Sequence, residues 1–145
     1  MRVITRIAVC LLALILMGAL NPALGQELLV HGVSSHRHGD TNERYNNYNL
    51  GLGIRTDTGL VAGAYYNSYR KWTAYVGQEW MPVPYAGVFA AVATGYDTVA
   101  DRPVTLIGGL LLRGRIDTQT SVDLRYLPRI KDNPEVIHLG FGLAF

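Results

Sequence analysis

Cysteine is nearly absent: the single Cys10 lies inside an N-terminal apolar run, so the chain beyond residue 25 has no thiol for a disulfide, a catalytic thiolate or a thiolate metal site. Charge of one sign is missing too. The formal +2 comes from 13 Lys+Arg against 11 Asp+Glu, and setting aside the leader residues Arg2 and Arg6 leaves 11 against 11. A neutral chain lacks the basic surface that collects phosphates, which excludes nucleic acid as a partner. Beyond Leu20 no long apolar run remains, and no motif calls for a cofactor. What is present, nine Tyr and 16 Gly with 49% hydrophobic residues in 145, excludes disorder and fits one domain.

The N-terminus has the pattern of an export signal. Arg2 and Arg6 precede the apolar segment Ile7 to Leu20, and Ala23-Leu24-Gly25 puts small residues where a signal peptidase reads. The segment is shorter than the roughly 20 residues of a membrane-spanning helix. The expectation is a cleaved signal peptide over 1–25 and a mature domain over 26–145.

The mature sequence alternates with period two. Ile137, Leu139, Phe141, Leu143 and Phe145 share one parity, and Val136, His138, Gly140, Gly142 and Ala144 the other. Val122, Leu124 and Tyr126 separate in the same way from Ser121, Asp123 and Arg125, as do Tyr48, Leu50, Leu52 and Ile54 from Asn49, Gly51, Gly53 and Arg55. Alternation suits both a soluble sandwich with its apolar face inward and a membrane barrel with that face outward. The export signal, the terminal Phe145 on the apolar parity and the regular turn-rich breaks favour the barrel. A terminal aromatic is commonly read by the outer-membrane assembly machinery.

Strands are expected at Leu28 to Ser35, Tyr48 to Thr56, Gly59 to Ser68, Trp72 to Met81, Ala86 to Gly95, Val104 to Arg113, Thr120 to Leu127 and Glu135 to Phe145. Eight is an even number, so the fold class is an all-β, eight-stranded antiparallel transmembrane β-barrel, closed so that lipid meets no open edge. Short connections at Asp57-Thr58, Pro82 to Tyr85 and Gly114 to Gln119 alternate with polar loops, placing both ends of the barrel domain on the periplasmic side. Trp72 and Trp80, near opposite ends of one strand, suit interfacial aromatic girdles. Arg37-Arg44, Arg70-Lys71 and Arg129-Lys131 fall on outer loops, where lipopolysaccharide phosphates favour cations.

Two residue sets carry chemistry. His36-x-His38-x-Asp40 has the reach of a metal site if its loop folds back, but a divalent metal needs three or four supported ligands and a solvated His-rich loop is the better reading, so no metal is expected. Ser68, ending a strand beside Asn67, falls at the same rim as His31, and imidazole is the base able to activate a serine near neutral pH.

Tyr45-Asn46, Gly51-Leu52-Gly53, Asn67-Ser68-Tyr69-Arg70-Lys71-Trp72, Gly77 and Trp80 together resemble the lipid A palmitoyltransferase (PagP-type) barrels of Gram-negative outer membranes. The likeness continues through Ala93-Thr94-Gly95-Tyr96-Asp97, the proline-led strand from Pro103, Tyr126-Leu127-Pro128 and the closing strand. It implies a monomeric outer-membrane protein whose partners are phospholipid and lipid A, with an acyl chain passed from the first to the second. The family's catalytic His corresponds to His31, its Asp-Ser pair to Asn67 and Ser68, and the glycine flooring its acyl pocket to Glu79. The chain departs from the family at three points. Asn67 cannot carry the negative charge that steadies an imidazolium, the family's amphipathic N-terminal helix has no counterpart, and a carboxylate at Glu79 is costly beside an alkyl chain unless paired. By parity Glu79, Arg55, Arg113, Asp123, Arg125 and His138 face the lumen, a set able to cross-link into a charged plug. Two functions compete: a lipid A acyltransferase using His31 and Ser68, and a non-catalytic barrel acting through its outer loops in a structural, receptor-blocking or surface-protective role.

Overall fold

The computed structural model describes residues 26–37, 44–97, 102–130 and 134–145. The expected signal peptide with Cys10, and the loop residues His38, Asp40 and Lys131, lie outside the described residues. Eight strands follow one another: β1 (Gln26–Arg37), β2 (Tyr48–Thr56), β3 (Leu60–Tyr66), β4 (Trp72–Val83), β5 (Ala86–Thr94), β6 (Val104–Arg115), β7 (Thr120–Leu127) and β8 (Glu135–Ala144). Each pairs antiparallel with the next, and β8 returns to β1, closing the barrel. Closure gives every strand two neighbours, which settles barrel against sandwich.

The alternation sorts side chains as the sequence suggests. Leu50, Leu52, Leu106, Leu110, Leu112, Phe141 and Leu143 point outward and are exposed, with Leu106 reaching 76%. Exposed Tyr48 and Trp72 begin β2 and β4, while Trp80 and Tyr85 flank the opposite end of the β4–β5 hairpin. Inside are Leu29, Val61, Tyr75, Phe89, Ala91 and Leu111, together with buried polar groups.

Several strand ends differ from the expected ones. β3 is shorter than its apolar pattern, because Gly59 takes φ +83° in the turn and Asn67-Ser68 belong to the following turn rather than the strand. β6 extends to Arg115, and the turn after it is tied by Asp117, whose carboxylate accepts from the Gln119 and Thr120 amides at 2.8 and 2.7 Å. Those amide bonds, first of all that from Gln119, hold the Asp117 carboxyl below the usual carboxylate range.

In β1 the register slips between His31 and Val33 against both neighbours. A bulge of this kind shifts the pleat by one residue. Leu29 and His31 are buried before it and Ser34 after it, whereas Val33 is exposed. The slip brings His31, Ser34 and His36 onto one cavity.

Candidate functional site: an ion-pair plug and a cavity above it

The lower lumen is filled by an ion-pair network. Asp123, fully buried on β7, accepts from Arg55 at 2.6 Å, Arg113 at 2.7 Å and Arg125 at 3.1 Å. Glu79 on β4 accepts from the same three guanidinium groups, at 3.2 Å from Arg55, 2.5 Å from Arg113 and 2.6 Å from Arg125. Glu27 pairs with Arg55, and Ser121 accepts from Arg55 at 3.2 Å. Three carboxylates thus balance three guanidinium groups, which a low-dielectric interior demands. The Arg125 guanidinium also lies 5.9 Å from the Phe89 ring centroid, a cation–π distance.

Parity identifies five of the six ionic members of this plug, Arg55, Glu79, Arg113, Asp123 and Arg125, but not their heights. His138 shares their face, yet it takes no ion pair among the described residues; its ring stands 5.4 Å from that of His31, above the plug. Glu27 and Ser121, not anticipated as members, lie on the lumen parity of their own strands and complete the network.

Above the plug is a cavity of about 180 Å³. Glu79 and Arg125 of the plug line it, together with His31, Ser68, Tyr75 and His138. Glu79 thus lines the void with its charge compensated by the three arginines. The other walls are aromatic and apolar, from Tyr65, Tyr96, Phe89, Ala91 and Ile107. The tyrosines escaped the sequence reading, although Tyr65 and Tyr75 sit on the lumen parity of β3 and β4.

His31 and Ser68 face the same void with different partners. His31 Nε2 shares a hydrogen bond with Tyr75 Oη at 2.8 Å, and its ring packs 4.9 Å from Tyr65. Room for the Tyr75 hydroxyl comes from glycine: a Cβ at Gly63 would lie 2.8 Å from it, and one at Gly53 closer still. Ser68 Oγ accepts from Asn49 Nδ2 at 3.4 Å. A serine–imidazole pair ready to react holds a direct hydrogen bond; here each group is engaged elsewhere, while both line the same cavity.

Asn67 is occupied by the turn. Its Nδ2 donates to Thr73 Oγ1 at 2.9 Å and to the Gly95 carbonyl at 2.8 Å, while its Oδ1 accepts from the Tyr69 and Lys71 amides at 2.9 and 3.0 Å. The turn includes Arg70 at φ 59°, and Gly95 at φ +80° brings its carbonyl to the amide. Two donors and two acceptors are needed at one fully buried point, and only a carboxamide supplies both. Asn67→Asp is expected to set a carboxylate oxygen against the Gly95 carbonyl and to lose about 1–3 kcal/mol in denaturant unfolding. Unchanged stability would show that the turn does not depend on the amide.

At the rim, Lys71 Nζ lies 2.9 Å from Asp97 Oδ1, and this hydrogen bond holds the exposed Asp97 carboxyl below its ordinary range. His36 stacks on Tyr45 at 4.6 Å, and its Nδ1 bonds with Asn47 Oδ1 at 3.2 Å. The rest of the suspected metal motif, His38 and Asp40, lies outside the described residues.

The barrel wall is not uniform. The β6–β7 ladder runs from Leu110↔Tyr126 to Arg115↔Ser121, so Val104 to Gly109 have no place in it. Pro128, directly after β7, has no N–H to extend it. Leu106, Leu127 and Pro128 line the cavity, which thus reaches the wall where β6 and β7 part.

These features define the class: a small closed β-barrel whose lumen holds an ion-pair network and, next to it, a cavity. No protein-family model matches the chain, and no curated protein matches it.

Proposed function

We propose that the protein is an outer-membrane barrel that admits one acyl chain into its upper lumen and transfers it from a phospholipid to lipid A. The carrying observation is the cavity lined by both His31 and Ser68, with Glu79 and Arg125 also on it, which meets the wall at the β6–β7 parting. The outward apolar face and the exposed Tyr and Trp at strand ends support a lipid surround. The resemblance to lipid A acyltransferases supports the acceptor.

In this reading His31 exchanges its Tyr75 bond for the Ser68 hydroxyl and takes its proton as Oγ attacks the phospholipid ester carbonyl. The imidazolium returns the proton to the departing lysophospholipid. A lipid A hydroxyl then attacks the acyl-serine, gives its proton to His31, and Ser68 leaves as the alcohol by taking that proton back. Tyr75 orients the imidazole between steps. Asn67 stands outside the relay as a turn residue.

The non-catalytic alternative draws on the bonds that engage Ser68 with Asn49 and Asn67 with its turn. Mass spectrometry of lipid A from cells expressing the native protein or Ser68→Ala separates the two. A gain of one acyl chain that disappears in the variant, with the variant still a folded barrel, is expected. No gain from native protein present in the outer membrane overturns the transferase and leaves the loop-acting barrel.

A further inference from the structure

The upper lumen has two unlike walls. On β8, β1 and β2, neighbours around the barrel, three buried polar atoms have no hydrogen-bond partner among the described residues: His138 Nε2, Ser34 Oγ and Asn49 Oδ1. All three residues line the cavity. Ser34 is 7% exposed and Asn49 2%. From β5 and β6 come the apolar Phe89, Ala91 and Ile107.

The sidedness selects among ligands. An unbranched saturated chain filling the void would satisfy the apolar wall, but it would displace water from three polar atoms and leave them unpaired. A fully polar ligand would waste the opposite wall. The site calls for hydrocarbon with a hydrogen-bonding group along one flank.

The kind of group follows from register. Ser34 and His138 are direct partners across the β1–β8 ladder, so their side chains meet at one level of the lumen, yet neither bonds the other. Directly opposed residues have Cβ atoms about 4.5–5.5 Å apart, a spacing that one intervening oxygen bridges. A hydroxyl donates and accepts at once, so a single one serves Ser34 Oγ together with either tautomer of His138.

We infer that the upper lumen is built for a hydroxylated acyl chain, its hydroxyl seated between Ser34 and His138 and its hydrocarbon laid along Phe89, Ala91 and Ile107. The inference rests on the reading of this cavity as an acyl-chain site and specifies which chain it prefers.

The test uses the full folded barrel in lipid nanodiscs, titrated calorimetrically with 3-hydroxytetradecanoic acid and with tetradecanoic acid, each corrected against empty nanodiscs. The hydroxylated chain is expected to bind about tenfold tighter, the worth of one well-made hydrogen bond pair. In Ser34→Ala, which removes one oxygen and little packing, and separately in His138→Phe, the ratio falls toward one while the plain chain binds no worse. Equal affinities in the native protein overturn the hydroxyl preference and leave the acyl-chain reading standing. A ratio unchanged in both variants overturns the assignment to Ser34 and His138. Saturable binding of neither chain overturns this inference and the acyl-chain reading together.

Discussion

Asp123→Ala is expected to lower the unfolding free energy of the barrel by about 3–5 kcal/mol, the cost of breaking a buried ion network from one side. The carboxylate is fully buried and accepts from three arginines. Without it, Glu79 and Glu27 face Arg55, Arg113 and Arg125 with one positive charge uncompensated, and water reaches that charge only by entering the lumen. Urea unfolding in detergent micelles, followed by tryptophan fluorescence, reads the loss. A change below about 1 kcal/mol would mean that the plug is hydrated and behaves as an exposed set of pairs. The network as a whole is a different matter. Replacing all its charges together with packed apolar side chains is far less costly than removing one, because no lone charge remains.

The second large effect concerns the outside. Leu110 is exposed midway along β6. If lipid surrounds it, Leu110→Arg is expected to cost about 2–4 kcal/mol of folding into vesicles, as a cation at the bilayer midplane does. The heat-shifted fraction in electrophoresis after refolding into vesicles measures this directly. A variant that inserts as fully as the native protein would argue that water, not hydrocarbon, meets this face. Leu106, the more exposed residue nearer the β6–β7 parting, is expected to be the more tolerant, since the cavity and the pairing break there give an arginine head group a polar outlet.

The barrel itself was legible because period-two alternation is a local property. Tyr48 to Thr56 and Thr120 to Leu127 run as strands with the bounds their patterns suggest. The plug was legible to the same depth: Arg55, Glu79, Arg113, Asp123 and Arg125 declare their face by parity. Parity carries no height, however, and the height of His138 depends on its register against Arg125 and Ser34. The bulge after His31 was hidden for a related reason, since a single slipped residue reverses the parity of everything beyond it. That is why Ser34 and His36 reach the cavity. Asn67 shows a further limit. Its place beside Ser68 is plain from sequence, but not its four side-chain hydrogen bonds, to the Tyr69 and Lys71 amides of the turn, to Thr73 on β4 and to the Gly95 carbonyl after β5. Only the assembled hairpins bring those partners together.

The ladder between β1 and β8, the strands furthest apart in sequence, pairs Glu27 with Ala144 and continues to Arg37 with Glu135. This seam has a kinetic meaning. Its contacts cannot begin to form until β8 has been made, and the chain entropy of bringing those two strands together is lost before any of the ladder's bonds are gained. Local hairpins form early and cheaply, whereas the seam sets the pace of folding. Until it closes, the unpaired edges of β1 and β8 and the arginines of the unfinished plug stay open to solvent or to a chaperone. Closing the β1–β8 ladder is therefore the last step of barrel formation, taken only after both strands are made.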